Sequence, residues 1–149
     1  MSSVNKVFVA RLVGLAVLGP DGESIGRVRD VVISVRLPGQ QLRALGLAVE
    51  LTTRRRIFVP MLRVTTIDPG AVTLNTGTVS LRRLHLRPGE ALAIGQILDT
   101  RVRIEDPDLP ELGGTDVTVI DLGIEQTRTR DWVVSRVAVR GLSLIHISE

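Results

Sequence analysis

Short runs of β-branched and other apolar residues, separated by turn residues, cover most of the chain. The last run alternates as a half-buried strand does, with its arginines on one face. Turns rich in Gly, Pro and Asp leave room only for brief helices, which we predict at Pro60 to Val64 and Ser80 to Leu86. The pattern predicts an all-β protein, a sandwich or small barrel. The predicted strands are Val28 to Val35, Leu42 to Leu51, Arg56 to Pro60, Ala71 to Leu74, Val102 to Ile104, Asp116 to Ile124 and Trp132 to Arg140.

A weak internal repeat divides the chain into two copies. Each copy then consists of strand, turn, strand, turn and strand. We predict a barrel at residues 7–76, a linker with a short helix at 77–92, and a second, incomplete copy at 93–141. The aligned segments are 97–102 with 12–17, 119–124 with 28–33, and 132–139 with 42–49.

Two motifs near the start of the first copy resemble a known family. They are similar to the opening of the PRC-barrel domain, a small β-barrel found in the photosynthetic reaction-centre H subunit and in the ribosome maturation factor RimM. The resemblance implies a PRC-type β-barrel followed by a second, truncated barrel-like copy. The motifs are Leu12-x-Gly14-x-x-Val17 and Asp21-Gly22-x-x-Ile25-Gly26-x-Val28-x-Asp30-Val31-Val32.

Three longer strings, at residues 7–12, 55–60 and 125–132, are similar to a narrower group of bacterial proteins. In that group a PRC-barrel region precedes the cytosolic N-terminal domain of MgtE-type magnesium transporters and CBS domains. The resemblance covers about residues 7 to 141. It implies a non-catalytic accessory or regulatory interaction module of a cytosolic, magnesium-transporter-associated protein, which contacts a protein partner or downstream domains of the same chain. The alternative is an RNA- or ribosome-associated adaptor module like the RimM barrel.

The last eight residues, Leu142 to Glu149, depart from the family pattern. They resemble the translation of a sequencing adapter read in frame, and the repeat places the counterpart of Arg54 to Asn75 there instead. We therefore expect residues 142–149 to be a non-native tail, the second copy to be cut short, and a chain ending before Ala91 to remain a soluble monomer. The alternative is that Ile145 to Ile147 is a genuine strand in the place of Ile57 to Val59.

Composition narrows the classes of partner. The 149 residues are 44% apolar, which is enough for a core without disulfide or metal crosslinks, and include no cysteine. The net charge is +3, and the aromatic residues are only Phe8, Phe58 and Trp132. Both facts argue against a specific nucleic-acid partner. Since no run suits a membrane-spanning helix and no signal-peptide pattern is found, we expect a cytoplasmic protein.

The sequence offers little material for catalysis or metal binding. The histidines are His85 and His146, and without cysteine neither a nucleophile–base pair nor a zinc site has its usual members. The acidic stretch at residues 105–111 is interrupted by prolines and lacks the spacing of a calcium loop. We therefore expect no enzyme activity, no catalytic residue, no cofactor and no metal.

Two aspartates and three arginines are the candidate site residues. Asp30 and Asp121 lie within apolar runs at equivalent places in the two copies. Paired carboxylates suit acid–base chemistry, but the favoured interpretation is structural, with each aspartate accepting backbone N–H bonds at a barrel corner. Arg54, Arg55 and Arg56 lie in a polar hairpin turn, for which a solvated tip is the default. If they contact a partner, an acidic protein surface or a phosphate group is favoured over a specific nucleic acid.

Overall fold

The computed structural model describes residues 4–35, 41–77, 83–103, 113–114, 116–140 and 145–146. Within these ranges the chain is mostly β, and its strands belong to one curled sheet. The predicted all-β fold class is therefore confirmed. The β-branched runs form strands because their side chains pack well on a pleated, half-buried surface.

In the first half β4, β5 and β7 follow predicted runs and β3 begins four residues before one, whereas β1, β2 and β6 lie outside them; two brief helical turns lie between the strands. The turn Met61–Arg63 is a 3₁₀ helix and lies within the predicted helix at Pro60 to Val64. The turn α1 (Val9–Leu12) was not predicted. The strands are β1 (Lys6–Phe8), β2 (Ala16–Leu18), β3 (Ser24–Ser34), β4 (Arg43–Leu51), β5 (Arg56–Pro60), β6 (Val64–Ile67) and β7 (Ala71–Leu74).

The second half repeats this order from its first strand onward. A π-helical turn, Ala93–Ile97, stands in the place of α1. The strands are β8 (Glu90–Leu92), β9 (Arg101–Arg103), β10 (Asp116–Gln126), β11 (Trp132–Arg140) and β12 (Ile145–His146).

The segment between the halves differs from the predicted linker with a short helix. β8 lies within the predicted linker, and residues 83–86 of the predicted helix are not helical. Leu84 donates its backbone N–H to the carbonyl of Arg56 at 3.0 Å, and Arg83 forms an isolated bridge with Ile57. These bonds to β5 are incompatible with a helix at residues 83 and 84; residues 80–82 lie outside the described residues.

The two halves exchange their first strands. β1 pairs with β10, where Phe8 lies opposite Gly123, and β8 pairs with β3, where Leu92 lies opposite Val32. β3 and β10 each have 11 residues, so one part pairs with the neighbour from its own half and the other part with the exchanged strand. In the full chain the first half therefore shares strand pairing with the second, and the expectation for a chain ending before Ala91 stays untested.

One hydrophobic core joins the halves. Its buried side chains include Leu12 and Leu47 from the first half and Leu122 and Trp132 from the second. The sheet follows the order β1-β10-β11-β4-β3-β2-β7-β6, so the two halves meet where β11 pairs with β4. The two halves of the sheet thus pack around one shared core.

The last described strand, β12, pairs with β11 as β5 pairs with β4. Its residues, Ile145–His146, fall in the range of the alternative prediction of a strand at Ile145 to Ile147. Residues 141–144 and 147–149 lie outside the described part of the chain, so the prediction of a non-native tail at 142–149 stays a prediction.

Candidate functional site

The hairpin between β4 and β5 presents three consecutive arginines to solvent. Leu51 donates its N–H to the carbonyl of Arg55 at 2.9 Å, and Arg54 donates its N–H to the carbonyl of Leu51 at 2.8 Å. These bonds close a short loop in which Arg54 has a φ of 67°. Arg54, Arg55 and Arg56 are all exposed, as expected for a hairpin tip.

A fourth arginine, Arg83, lies beside this hairpin. It is placed there because the residue 83–84 segment is bound to β5 through the bridge with Ile57 and the hydrogen bond to Arg56. An open concavity of about 640 Å³ results, which we call the arginine concavity. Its lining residues are Thr53, Arg54, Arg55, Arg56, Arg83 and Leu84.

The arginine concavity has a large excess of positive charge. Its nearest carboxylate is Glu50, whose Oε1 lies 3.5 Å from Nε of Arg56 and whose Oε2 lies 3.6 Å from Nη2 of Arg29. Across the part of the chain that the structure describes, no carboxylate lies within 4.0 Å of the guanidinium groups of Arg54, Arg55 or Arg83. Among the described residues, these three exposed guanidinium groups therefore have no counter-charge, which favours binding of an anion.

Three hairpins of the sheet share the same loop geometry, with an i to i+3 bond and a left-handed residue at its end. That residue is Gly22 (φ 86°) between β2 and β3, Arg54 between β4 and β5, and Arg130 (φ 68°) between β10 and β11. Glycine adopts this conformation without steric penalty, whereas a residue with a Cβ loses roughly 1–2 kcal/mol. Arginine at the tip of the β4–β5 hairpin is therefore unfavourable for stability.

Asp30 is buried at a β-bulge in β3. The pairing of β3 with β4 shifts register between Val28 and Asp30. Oδ1 of Asp30 accepts the N–H bonds of Val31 at 2.8 Å and Ile94 at 2.7 Å, and Oδ2 accepts that of Gly95 at 3.0 Å. The carboxylate thus satisfies two N–H groups at the start of the π-helical turn, which have no partner inside the turn.

Asp121 occupies the equivalent place in β10, beside a register shift between Val119 and Asp121. Its Oδ1 accepts the N–H bonds of Leu122 at 2.8 Å and of Ala10, in α1, at 3.1 Å. Both aspartates therefore hold a helical turn of the opposite half. These contacts are of the kind that the structural interpretation predicts; they engage both oxygens of Asp30 and Oδ1 of Asp121.

A second, smaller groove of about 380 Å³ lies between the β1–α1 segment and the turn after β6. Its lining is mostly apolar and includes Val7, Phe8 and Leu15. The carboxylate beside it, Asp68, accepts the N–H bonds of Gly70 and Ala71 at 2.8 and 2.9 Å, which stabilises the turn. Lys6, which also lines the groove, lies 3.8 Å from Glu125, and Arg11 adds a further positive charge to the lining.

The remaining predicted residues contribute no further cluster. His85 is exposed in the segment after Arg83, and the acidic stretch at 105–111 lies outside the described residues. Within the described ranges no three His, Asp or Glu side chains are grouped closely enough to hold a metal ion. No helix in those ranges has the length and apolar character needed to cross a membrane.

The contribution of Arg83 could not be found from the sequence. Arg54 to Arg56 are adjacent in the chain, and their charge pattern is visible directly. Arg83 joins them only through pairing with β5; residues 83–87 alternate between polar and apolar, but this local pattern does not specify the partner strand. The site is therefore larger than the three predicted arginines.

Comparison with known proteins supports a two-part chain. No curated protein matches the sequence. The family model described as the Actinomycetes SH3 domain matches residues 91–145, which run from β8 into β12. The family model described as the PRC-barrel domain matches residues 5–80, which contain β1 to β7. This match covers half of the chain and agrees with the resemblance of the two motifs, and the chain therefore belongs to the PRC-barrel domain family.

Proposed function

We propose that the protein is a non-catalytic interaction module that binds an acidic surface of a partner protein at the arginine concavity. The PRC-barrel domain is consistent with a small interaction or adaptor module. The observation that carries the proposal is the group of three guanidinium groups, on Arg54, Arg55 and Arg83, with no carboxylate within 4.0 Å in the described part of the chain.

Because the positive side chains are arginines, a specific contact with a partner is favoured over a diffuse electrostatic attraction. A guanidinium group presents its N–H donors in a rigid fork that matches the two oxygens of a carboxylate. Charge-assisted bonds of this kind are about twice as strong as neutral ones. Glu50 already forms ion pairs of this chemistry with Arg29 and Arg56 at one side of the concavity. A carboxylate from a partner would extend the same arrangement to Arg54, Arg55 and Arg83.

A non-catalytic role is supported by the contacts of Asp30 and Asp121, the two aspartates at equivalent places in the sheet. Asp30 accepts three backbone N–H bonds and Asp121 accepts two. A carboxylate used in this way is stabilised in one position by the fold, and Asp30, which is buried and bonded through both oxygens, has little capacity left for a substrate.

The finer part of the proposal places this module in a magnesium-transporter-associated protein. Its support is the similarity of residues 7–12, 55–60 and 125–132 to the PRC-barrel, MgtE N-terminal and CBS group. The natural gene sequence after residue 141 tests it. An acidic helical domain followed by CBS repeats would support the association, and an early stop codon would contradict it.

The binding proposal is tested by titrating the full chain with a fluorescein-labelled peptide of eight glutamates and following fluorescence anisotropy. We expect the triple variant Arg54→Gln, Arg55→Gln, Arg83→Gln to weaken binding at least tenfold. The matched control is the triple variant Arg128→Gln, Arg130→Gln, Arg140→Gln, which removes the same charge from exposed positions on β11 and the hairpin before it. It should weaken binding less than threefold.

Two outcomes would contradict the proposal. Equal weakening in both triple variants would show a response to net charge rather than to the arginine concavity. Binding of a defined RNA below 1 μM at physiological salt, lost in the first triple variant, would favour the RNA-associated adaptor instead; a net charge of +3 leads us to expect only weak, salt-dependent RNA binding.

A further inference from the structure

The charge in the arginine concavity exceeds what one carboxylate neutralises. Arg54, Arg55 and Arg83 have no carboxylate within 4.0 Å in the described ranges, and Arg56 shares Glu50 with Arg29. A phosphate monoester carries about −1.5 to −2 charges at neutral pH and offers three acceptor oxygens from one tetrahedral group. One such group can therefore accept bonds from several guanidinium forks that converge on a single concavity.

The backbone of the β4–β5 hairpin indicates that the side chain of Arg54 has a role beyond the turn. The equivalent position in the β2–β3 hairpin is Gly22, which adopts the left-handed conformation without a Cβ. Arg54 adopts it with a Cβ and a guanidinium group at the edge of the concavity. Backbone strain of this kind is concentrated at functional sites in proteins, so its position at the edge of a charged concavity favours a ligand there.

The third hairpin of the same geometry provides an internal comparison. Its left-handed residue is Arg130, but its loop also contains Asp131, whose Oδ2 accepts the hydroxyl bond of Thr129 at 3.0 Å. The tip of the β10–β11 hairpin therefore contains its own carboxylate. The tip of the β4–β5 hairpin, from Thr52 to Arg55, contains none. The β4–β5 tip therefore has the higher net positive charge, although in the described ranges Arg130 has no carboxylate within 4.0 Å either.

The lining of the concavity favours a peptide as the carrier of the phosphate. None of the six lining residues is aromatic, so no ring is available for stacking with a nucleic-acid base. The backbone of the 83–84 segment is extended beside β5, and Thr53 adds a hydroxyl group to the lining. The space of about 640 Å³ is open, so a side chain can enter it from a segment that lies across the hairpin.

We infer that the arginine concavity binds a phosphorylated serine or threonine side chain on an extended segment of a partner protein. This inference rests on the proposed function and names the chemical group that the partner presents. Arg54, Arg55 and Arg83 bind the phosphate oxygens, and Arg56, held by Glu50, closes one side of the site.

The test uses the full chain and three fluorescein-labelled peptides of 11 residues, identical except for a central phosphoserine, glutamate or serine between alanines and glycines. Anisotropy is measured at physiological salt. We expect the phosphoserine peptide to bind at least fivefold more tightly than the glutamate peptide and at least tenfold more tightly than the serine peptide. Inorganic phosphate should compete with it.

Variants separate the effect of guanidinium geometry on binding from the effects of net charge and of folding. Arg54→Lys keeps the charge but removes the fork, so it should reduce the preference for phosphoserine over glutamate at least threefold. The control triple variant Arg128→Gln, Arg130→Gln, Arg140→Gln should keep that preference. Thermal unfolding of each variant checks that the sheet is intact.

The outcomes distinguish this inference from the function on which it rests. Equal affinity for the phosphoserine and glutamate peptides would overturn the inference and leave the acidic-partner proposal standing. Failure of the eight-glutamate peptide and all three 11-residue peptides to bind would overturn both. A preference for phosphoserine that survives in Arg54→Gln, Arg55→Gln, Arg83→Gln would place the phosphate elsewhere and also overturn the inference.

Discussion

Asp30 and Asp121 are related by exchange: the carboxylate of Asp30 binds the N–H groups of Ile94 and Gly95 in the second half, and that of Asp121 binds the N–H group of Ala10 in the first. The residues that precede the two helical turns provide no side-chain cap of their own. Each half therefore relies on an acid of the other half to satisfy the start of its helical turn.

The two acids should differ in their contribution to stability. Asp30 is 3% exposed and accepts three N–H bonds, whereas Asp121 is half-buried and accepts two. Since an N–H left unpaired in the interior costs about 1–3 kcal/mol, we expect Asp30→Ala to lower the free energy of unfolding by about 3 kcal/mol or more. Asp121→Ala should lower it by about 1–2 kcal/mol. Urea denaturation measures both; an equal or larger loss for Asp121→Ala would contradict the structural argument.

The first half should not fold independently. A chain ending at Gly89 lacks β8, which pairs with β3, and lacks β10, which pairs with β1. The edges of β1 and β3 and the apolar side chains of Val31 and Ile33 would then lose their cover. We expect this fragment to be aggregated or largely unfolded by size-exclusion chromatography and circular dichroism, and residues 90–149 added in trans to restore the fold. A monomeric fragment with a cooperative unfolding transition would contradict this.

The left-handed arginines should be sites at which glycine stabilises the protein. Arg54→Gly and Arg130→Gly each relieve the steric cost of the Cβ, offset in part by the greater freedom of glycine in the unfolded chain. We expect the free energy of unfolding to rise by up to about 1 kcal/mol in each. Arg54→Ala, which removes the charge but keeps the Cβ, is the matched control and should show no such gain. The reverse change, Gly22→Ala, should destabilise by about 1 kcal/mol.

Gly46 marks a close approach of β4 to β5. A Cβ at this position would lie 2.5 Å from the ring of Phe58 and 2.6 Å from the carbonyl oxygen of Val59. Because a backbone atom cannot move aside as a side chain does, we expect Gly46→Ala to destabilise by about 2–3 kcal/mol, with only partial recovery when Phe58→Leu is added.

Gly123→Ala is the control for that substitution. Its Cβ would lie 3.2 Å from Cβ of Arg136 and 3.3 Å from the ring of Phe8, which are milder contacts. We expect a loss of about 1 kcal/mol, measured by the same denaturant titration. A loss at Gly123 that equals the loss at Gly46 would show that the close contact with the backbone is not the cause.

Local patterns in the sequence were sufficient for the longer strands. β11 spans the predicted residues Trp132 to Arg140, and β10 begins at the predicted Asp116. Alternation and β-branched content act over a few residues, so they are readable without knowledge of the fold. The positions of Asp30 and Asp121 inside apolar runs were likewise visible as equivalent.

Pairing between distant segments could not be read in the same way. β1 and β8 have three residues each, too few for a periodic pattern, and their partners lie far away in the chain. α1 has four residues, two of them valine and leucine in the core, and carries no start or stop signal. The exchange of first strands was not predicted for this reason, and the place of Arg83 was missed because it also depends on pairing with a distant segment.

The exchange of first strands also determines when parts of the sheet can form during synthesis of the chain. Ala10 and Asp121 are separated by 111 residues. At a synthesis rate of about 5–20 residues per second, the carboxylate that holds α1 is translated roughly 6–22 s after α1 itself. Throughout that interval β1 and α1 have left the peptidyl transferase centre before β10 exists, so their part of the sheet closes only after β10 has been synthesised.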